Sequence, residues 1–189
     1  HITKRFSMPW SKPAARMEDM VTAIKAILNA WQNESRLEHR GEFYNHTLMT
    51  PLFNPGPNPF GIPKIYVAAV GPLMTKAVAR SADGLLAHPF NTPTYLKNIT
   101  LPLIDEALSS INKERDAFDL SISVMTGIGA TEESHKKAVR TCRDQVAFYA
   151  STPNYKAVLE LHGYEELSGE LNRLSKEGKW QQMGDAIDD

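Results

Sequence analysis

The stretch KIYVAAVGPLMTKAVARSADGLLAHPF, residues 64–90, decides the fold. Residues 65–70 form a continuous apolar run, the mark of a strand buried on both faces. Gly71-Pro72 interrupts it, and Pro72 opens a helix carried by Leu73, Ala77, Ala79 and Arg80. Asp83-Gly84 ends that helix, and residues 85–87 make a second short strand. His88-Pro89-Phe90-Asn91 follows. Such a strand–helix–strand unit puts the Gly71 turn and His88 on one edge of a parallel sheet, where α/β enzymes keep their sites.

Upstream, Ser11 and Pro13 read as a helix start, with serine as cap and proline in the first turn. Met17, Met20, Val21, Ile24, Ile27, Leu28 and Trp31 then keep helical spacing, which predicts a long amphipathic helix. Residues 1–12 read as irregular. Pro51, Pro55, Pro57, Pro59 and Pro63, with Gly41, Gly56 and Gly61, turn residues 33–63 into a long loop. Within it GEFYNHTLMT allows a short extended piece. Loops of this length in compact domains are often functional.

Downstream, a helix is expected over 94–113, kinked at Pro102. Residues 120–125 alternate as a third strand and lead into Thr126-Gly127-Ile128-Gly129. Helices then follow from Thr131 to about Ala150, from Ser151 to His162-Gly163, and near 165–177. Strands alternating with helices predict a parallel sheet with helical cover. Three strands cannot close a barrel.

The bulk composition narrows the function. The 189 residues carry a net charge of -1, which argues against a general nucleic-acid or acidic-membrane surface. No apolar run approaches the roughly 20 residues of a membrane helix. The single cysteine, Cys142, excludes an internal disulfide and reads as a small buried hydrophobe in a reducing compartment. The sequence contains no H-x-x-x-H, H-E-x-x-H or C-x-x-C, so no metal site is expected. The chain opens without methionine and is expected to be part of a longer one.

Three places are suited to chemistry. Gly71-Pro72 joins a strand to a helix, where backbone N–H groups and the helix dipole hold anions; a plain tight turn is the competing reading. His88 is placed to donate to a ligand oxygen or to act as acid or base, against a histidine bonded to a loop carbonyl. Residues 126–129 admit close ligand approach, or simply a strand-to-helix turn. Tyr149, Tyr155 and Tyr164 read as packing residues. Lys136, Lys137, Arg140 and Arg143 read as a solvated helix face.

One pattern goes further. Arg16, Met17 and Glu18, an apolar helix, Trp31, then Gly41-Glu42-Phe43-Tyr44, together with FYASTPNYKAVLELHGYEELSGEL at 148–171, resembles the bacterial luciferase-like flavin monooxygenases. The likeness is to their coenzyme F-420-dependent oxidoreductase branch, and it covers essentially the whole chain.

The resemblance implies an α/β fold: a partial (β/α)8 TIM barrel in one domain over 1–189. Residues 64–70, 85–87 and 120–126 would be strands five, six and seven with flanking helices. Residues 33–63 would be an inserted loop and 131–189 a helical C-terminal segment. The N-terminal half and strand eight would be absent. The implied cofactor is coenzyme F-420, a deazaflavin, with FMN as the alternative. It would be held at Ala68, Ala69, Val70, Gly71 and Pro72, with His88 and Phe90 lining a substrate pocket.

The implied reaction is hydride transfer between the deazaflavin and a small organic substrate. Competing readings are oxygen-dependent FMN monooxygenation, a non-catalytic homologue serving an interaction role, and an unrelated α/β phosphate binder. Catalytic groups are expected on strands one to four and are not assigned. The expected protein is a cytoplasmic homodimer with no nucleic-acid or membrane partner. By itself the chain is expected to be inactive and prone to aggregate, because its sheet edges are unpaired.

Overall fold

A computed structural model describes residues 2–188. The elements run α1 (Ile2–Phe6), α2 (Pro13–Gln32), β1 (His39–Arg40), β2 (Asn45–His46), β3 (Tyr66–Ala69), α3 (Pro72–Ser81) and β4 (Gly84–Ala87). There follow α4 (Pro93–Tyr95), α5 (Leu101–Ser109), β5 (Asp119–Ile122), α6 (Glu132–Ala150), α7 (Lys156–Glu160), α8 (Glu165–Lys176) and α9 (Trp180–Asp185). The chain divides into two compact units, one of residues 1–86 and 102–121, the other of 87–101 and 122–189.

The first unit holds the three-stranded sheet, in order β3-β4-β5. The Asp83 N–H donates to the Ile65 carbonyl and the Asp119 N–H to the Asp83 carbonyl, so the three strands start side by side and run parallel. Asp83 organises this end. Its carboxylate accepts from Lys25 Nζ on α2 at 2.8 Å and from the Ile65 N–H at 2.8 Å. Burial works to raise the Asp83 pKa, but Lys25 and the Ile65 N–H outweigh it and hold the carboxyl below its usual range.

Gly84 is glycine for a local reason. A side chain there would collide with the Tyr66 ring and the Asp119 carbonyl. Tyr66 lies across Gly84, and its hydroxyl donates to Asp119 Oδ2 at 2.5 Å. The strand starts are thus stitched from β3 to β5.

The expectation of a β3 buried on both faces is corrected. Tyr66 is 39% exposed, Val70 41% and Leu86 on β4 42%, so one sheet face lies open. The other side is covered: Val21, Ala23 and Ala30 of α2, Ala77, Val78 and Ala79 of α3, and Ile104, Ala107 and Leu108 of α5 are buried.

The loop 33–63 contains the expected extended piece as a hairpin, with His39 paired to His46 and Arg40 to Asn45. Asp19 of α2 holds it. One carboxylate oxygen contacts His39 Nε2 at 2.7 Å; the other accepts from the Phe43 and Tyr44 N–H groups at 2.6 and 3.0 Å. Gly41 leaves room for that carboxylate, which a Cβ would overlap. Arg16 lies over the Phe43 ring, 4.3 Å from its centroid. The Gly-Glu-Phe-Tyr signature is therefore the socket for α2.

Two helix starts differ from expectation. Ser11 does not cap α2; the cap position is Lys12, left-handed at φ 43°, with no side-chain cap bond. Residues 2–6, expected to be irregular, form α1. Pro102 has no N–H for the helical ladder. The turn before it, Leu96–Thr100, is π-helical and takes up this defect between α4 and α5.

The second unit is helical. Phe90, Ala147, Ala150, Val158, Leu171, Leu174 and Met183 form its core. Thr131 and Ser134 close a capping box at the start of α6. Arg140, on the exposed face of α6, also makes a tertiary link. Its guanidinium bonds Asp144 Oδ1 and the Gln181 carbonyl, each at 2.9 Å, and also pairs with Asp185. It fastens α9 to α6, and Gly184 leaves space for it.

Candidate functional site

In a parallel α/β sheet, ligands are taken at the C-terminal strand ends, where the βα turns lie. The first such turn is Val70-Gly71. Gly71 has φ 83° and ψ 157°, a region essentially reserved for glycine. No neighbouring atom lies within 4 Å of where its Cβ would be, so the backbone and not crowding demands glycine. The Gly71 carbonyl accepts from the Thr75 N–H at 3.1 Å and from Thr75 Oγ1 at 3.0 Å, which fixes the turn.

Pro72 is the first residue of α3, and no side chain caps that helix. The N–H groups of the first turn are therefore left for a ligand or for water. The α2 start repeats the arrangement: Lys12 left-handed, Pro13 first in the helix, no side-chain cap. Both uncapped starts border one cleft of about 510 Å³, lined by Lys12, Pro13, Ala14, Ala15, Val70, Gly71, Pro72, Leu73 and Met74. Each helix start carries roughly half a positive charge. Two such ends on one cleft suit an anion. Lys12 adds an ammonium at the rim, engaged at 2.6 Å by Glu42.

Of the residues expected to hold a cofactor, Val70, Gly71 and Pro72 line this cleft. Ala68 and Ala69 belong to β3 and are not in its lining. The cleft's other wall, residues 12–15, was not singled out from sequence. The signal was present, because Lys12-Pro13 opens an amphipathic helix much as Gly71-Pro72 does.

His88 and Phe90 lie in the second unit. His88 is half-buried and follows β4 directly. Its Nδ1 accepts from the Phe90 N–H at 3.1 Å. The Tyr155 ring stacks on it at 4.5 Å and the Tyr149 ring meets it edge-on at 4.6 Å. Burial pushes the His88 pKa down and the Tyr155 phenol up. Phe90 is 7% exposed and belongs to the unit's core, which leaves little of its ring to line a pocket.

The glycines after β5 have a packing role against α6. A Cβ on Gly127 would press on the Val139 backbone, and one on Gly129 would collide with the backbone at Ser134 and His135. They let this segment lie against α6. His162 Nε2 pairs at 2.8 Å with Thr92 Oγ1, which itself accepts from the Tyr95 N–H at the start of α4.

Comparison with known proteins bears directly on this frame. The model of the luciferase-like monooxygenase family matches residues 1–189. The chain belongs to that family. It is 46% identical to an uncharacterised protein of Mycobacterium tuberculosis, over all of this chain and 56% of that one. It is 29% identical to the 5,10-methylenetetrahydromethanopterin reductase of Archaeoglobus fulgidus, over 98% of this chain and 53% of the reductase.

The coenzyme F-420-dependent tetrahydromethanopterin reductase of Methanopyrus kandleri superposes with a TM-score of 0.69 at 20% identity, over 96% of this chain and 49% of that one. That likeness establishes the α/β fold. A further relative, 29% identical over 61% of this chain and 33% of its own, is an F-420-dependent glucose-6-phosphate dehydrogenase of Intrasporangium calvum, which fits the branch the sequence resembles. The chain spans about half the length of the relatives it matches. Among the described residues, no helix is long and apolar enough to cross a membrane.

Proposed function

We propose that this chain forms the tail-binding side of an F-420-dependent oxidoreductase. The whole protein would transfer a hydride between the deazaflavin and a small organic substrate. The observation that carries this reading is the meeting of two uncapped helix starts, at Lys12-Pro13 and Gly71-Pro72, on one cleft. F-420 bears a phosphate-containing anionic tail, and the first-turn N–H groups at Ala14, Ala15, Leu73 and Met74 would hold it. Each helix end contributes about 0.3–1 kcal/mol toward a bound anion, and up to about 2 where partly buried.

The open sheet face fits the same reading. Tyr66, Val70 and Leu86 would face the interior of a (β/α)8 barrel completed by the rest of the protein. The division of labour along the strands fits too: Asp83, Gly84 and Asp119 secure the strand starts, while the Gly71 turn at the opposite end is free for a ligand. The deazaflavin supplies the hydride chemistry when bound. These residues bind and orient it.

The reading is tested by comparing intact F-420 with its chromophore lacking the anionic tail, using fluorescence titration of the intact protein. Intact F-420 is expected to bind at least about tenfold more tightly, with the gap narrowing as salt rises. Equal affinities would defeat the reading.

A further inference from the structure

His88 is held in one chemical form by groups the proposed function does not use. Its Nδ1 accepts the Phe90 N–H at 3.1 Å. A nitrogen that accepts an N–H carries no proton, so in the neutral ring the proton sits on Nε2. That ring is clamped: Tyr155 stacks on it with planes 28° apart, and Tyr149 meets it edge-on at 81°. The two tyrosines also pack edge-to-face on each other at 5.7 Å.

Nε2 is differently placed. It has no hydrogen-bond partner among the described residues. Yet among them every buried side-chain nitrogen or oxygen has one, so Nε2 keeps contact with solvent.

We propose that His88 is a neutral, tautomer-locked hydrogen-bond donor that offers Nε2–H to a carbonyl or carboxylate oxygen of a small-molecule ligand, with Tyr149 and Tyr155 as the positioning residues that hold it so. Its identity as a substrate contact rests on the oxidoreductase reading above; the tautomer does not. The arrangement decides between the two roles open to such a histidine. A general base needs a free lone pair, and here Nδ1 is engaged while Nε2 bears the proton. Protonating the ring would set an Nδ1–H against the Phe90 N–H. Burial against the two aromatic rings opposes the cation as well, and it is the cause that pushes the His88 pKa below 6.5. Among the described residues, the titratable side chains in ring contact with His88 are those two tyrosines, and no charged neighbour contributes to its shift.

Nitrogen-15 NMR of histidine-labelled intact protein tests this, with the His88 signals assigned by their loss in His88→Gln. At neutral pH, Nε2 is expected in the range of a protonated ring nitrogen and Nδ1 in that of an unprotonated one. Tyr155→Phe is expected to keep this pattern. Tyr155→Leu is expected to mix the tautomers and raise the ionisation midpoint toward 6.5. A wild-type His88 protonated on Nδ1, or already an imidazolium at neutral pH, overturns the proposal even if Tyr155→Leu fails to fold.

Acetate, added as an oxygen-acceptor probe, is expected to move the Nε2–H signal while choline does not. A signal unmoved by acetate, or moved by choline, overturns the donor role. Absence of F-420 binding would defeat the oxidoreductase reading and leave the tautomer intact. The wrong tautomer in a protein that binds F-420 would defeat this inference alone.

Discussion

Arg80 holds Glu18 with both prongs of its guanidinium, Nε to Oε1 at 2.9 Å and Nη2 to Oε2 at 2.6 Å. The pair joins α3 to α2, the two helices whose starts bound the cleft. Both side chains are about one-third exposed, 33% and 32%, so water screens the fork only in part. Arg80→Lys keeps the charge and loses the two-pronged geometry. We expect stability to fall by about 1 kcal/mol in urea denaturation, with weaker F-420 binding. Unchanged values for both would show that other contacts set the spacing of the two helices.

Gly71 makes a sharper case, because space and backbone point in opposite directions. A methyl group at this position meets nothing within 4 Å, yet φ 83° disfavours any side chain. Gly71→Ala should therefore cost about 1–3 kcal/mol through backbone strain alone. Chemical denaturation reads the loss, and binding of the anionic tail should weaken alongside it. A neutral substitution would mean that the turn can adopt another geometry.

The Lys12–Glu42 pair at the cleft rim is exposed, and such pairs add little to stability. Its effect should appear in binding instead. Glu42→Gln frees the Lys12 ammonium and is expected to tighten F-420 binding by about two- to fivefold, corresponding to roughly 0.3–1 kcal/mol. Lys12→Gln should weaken it by a similar factor. Isothermal titration calorimetry at low salt measures both, and a tighter Lys12→Gln variant would contradict the assignment of the cleft to an anion.

Acid should destabilise the fold in two stages. Burial lowers the His88 pKa, so below 6.5 the unfolded chain takes up a proton that the folded ring resists. Stability therefore falls as pH drops through 6.5, and this loss levels off once the folded ring protonates. Asp19 and Asp83 come next. Burial alone would raise both, but N–H donors and the side chains of His39 and Lys25 outweigh it and hold them below 3.8. Their contribution is present above about 3.8 and is lost as pH falls through the lowered folded values. Urea midpoints measured against pH should show both stages, and His88→Gln should remove the first. A first stage that persists in His88→Gln would assign it to another group.

Much of the frame was legible in local signals. The apolar run at 65–70, the Gly71-Pro72 break and the helix start at Thr131 each act over a few residues, and the elements formed where those signals lie. What escaped depends on distant partners. Arg140 looks solvated along its own helix, and only α9 reveals it as a clasp. Gly127 and Gly129 look like freedom in a turn, and only the fold shows that α6 occupies the space where their side chains would be.

The cleft illustrates the same limit. Val70, Gly71 and Pro72 were readable because strand, turn and helix start are contiguous. The opposite wall at residues 12–15 lies almost sixty residues away in sequence, and no periodicity links it to Gly71. Tyr149 and Tyr155 looked like packing residues, which they are; that they pack on His88 is a tertiary fact.

The central claim is that the paired helix starts hold the tail of a deazaflavin. Side-by-side fluorescence titrations of the intact protein with coenzyme F-420 and with FMN, repeated on Gly71→Ala, test it most directly. The account predicts saturable binding of F-420, weaker binding of FMN, and loss of F-420 affinity in the variant. Absence of F-420 binding, or F-420 affinity untouched by Gly71→Ala, would contradict it.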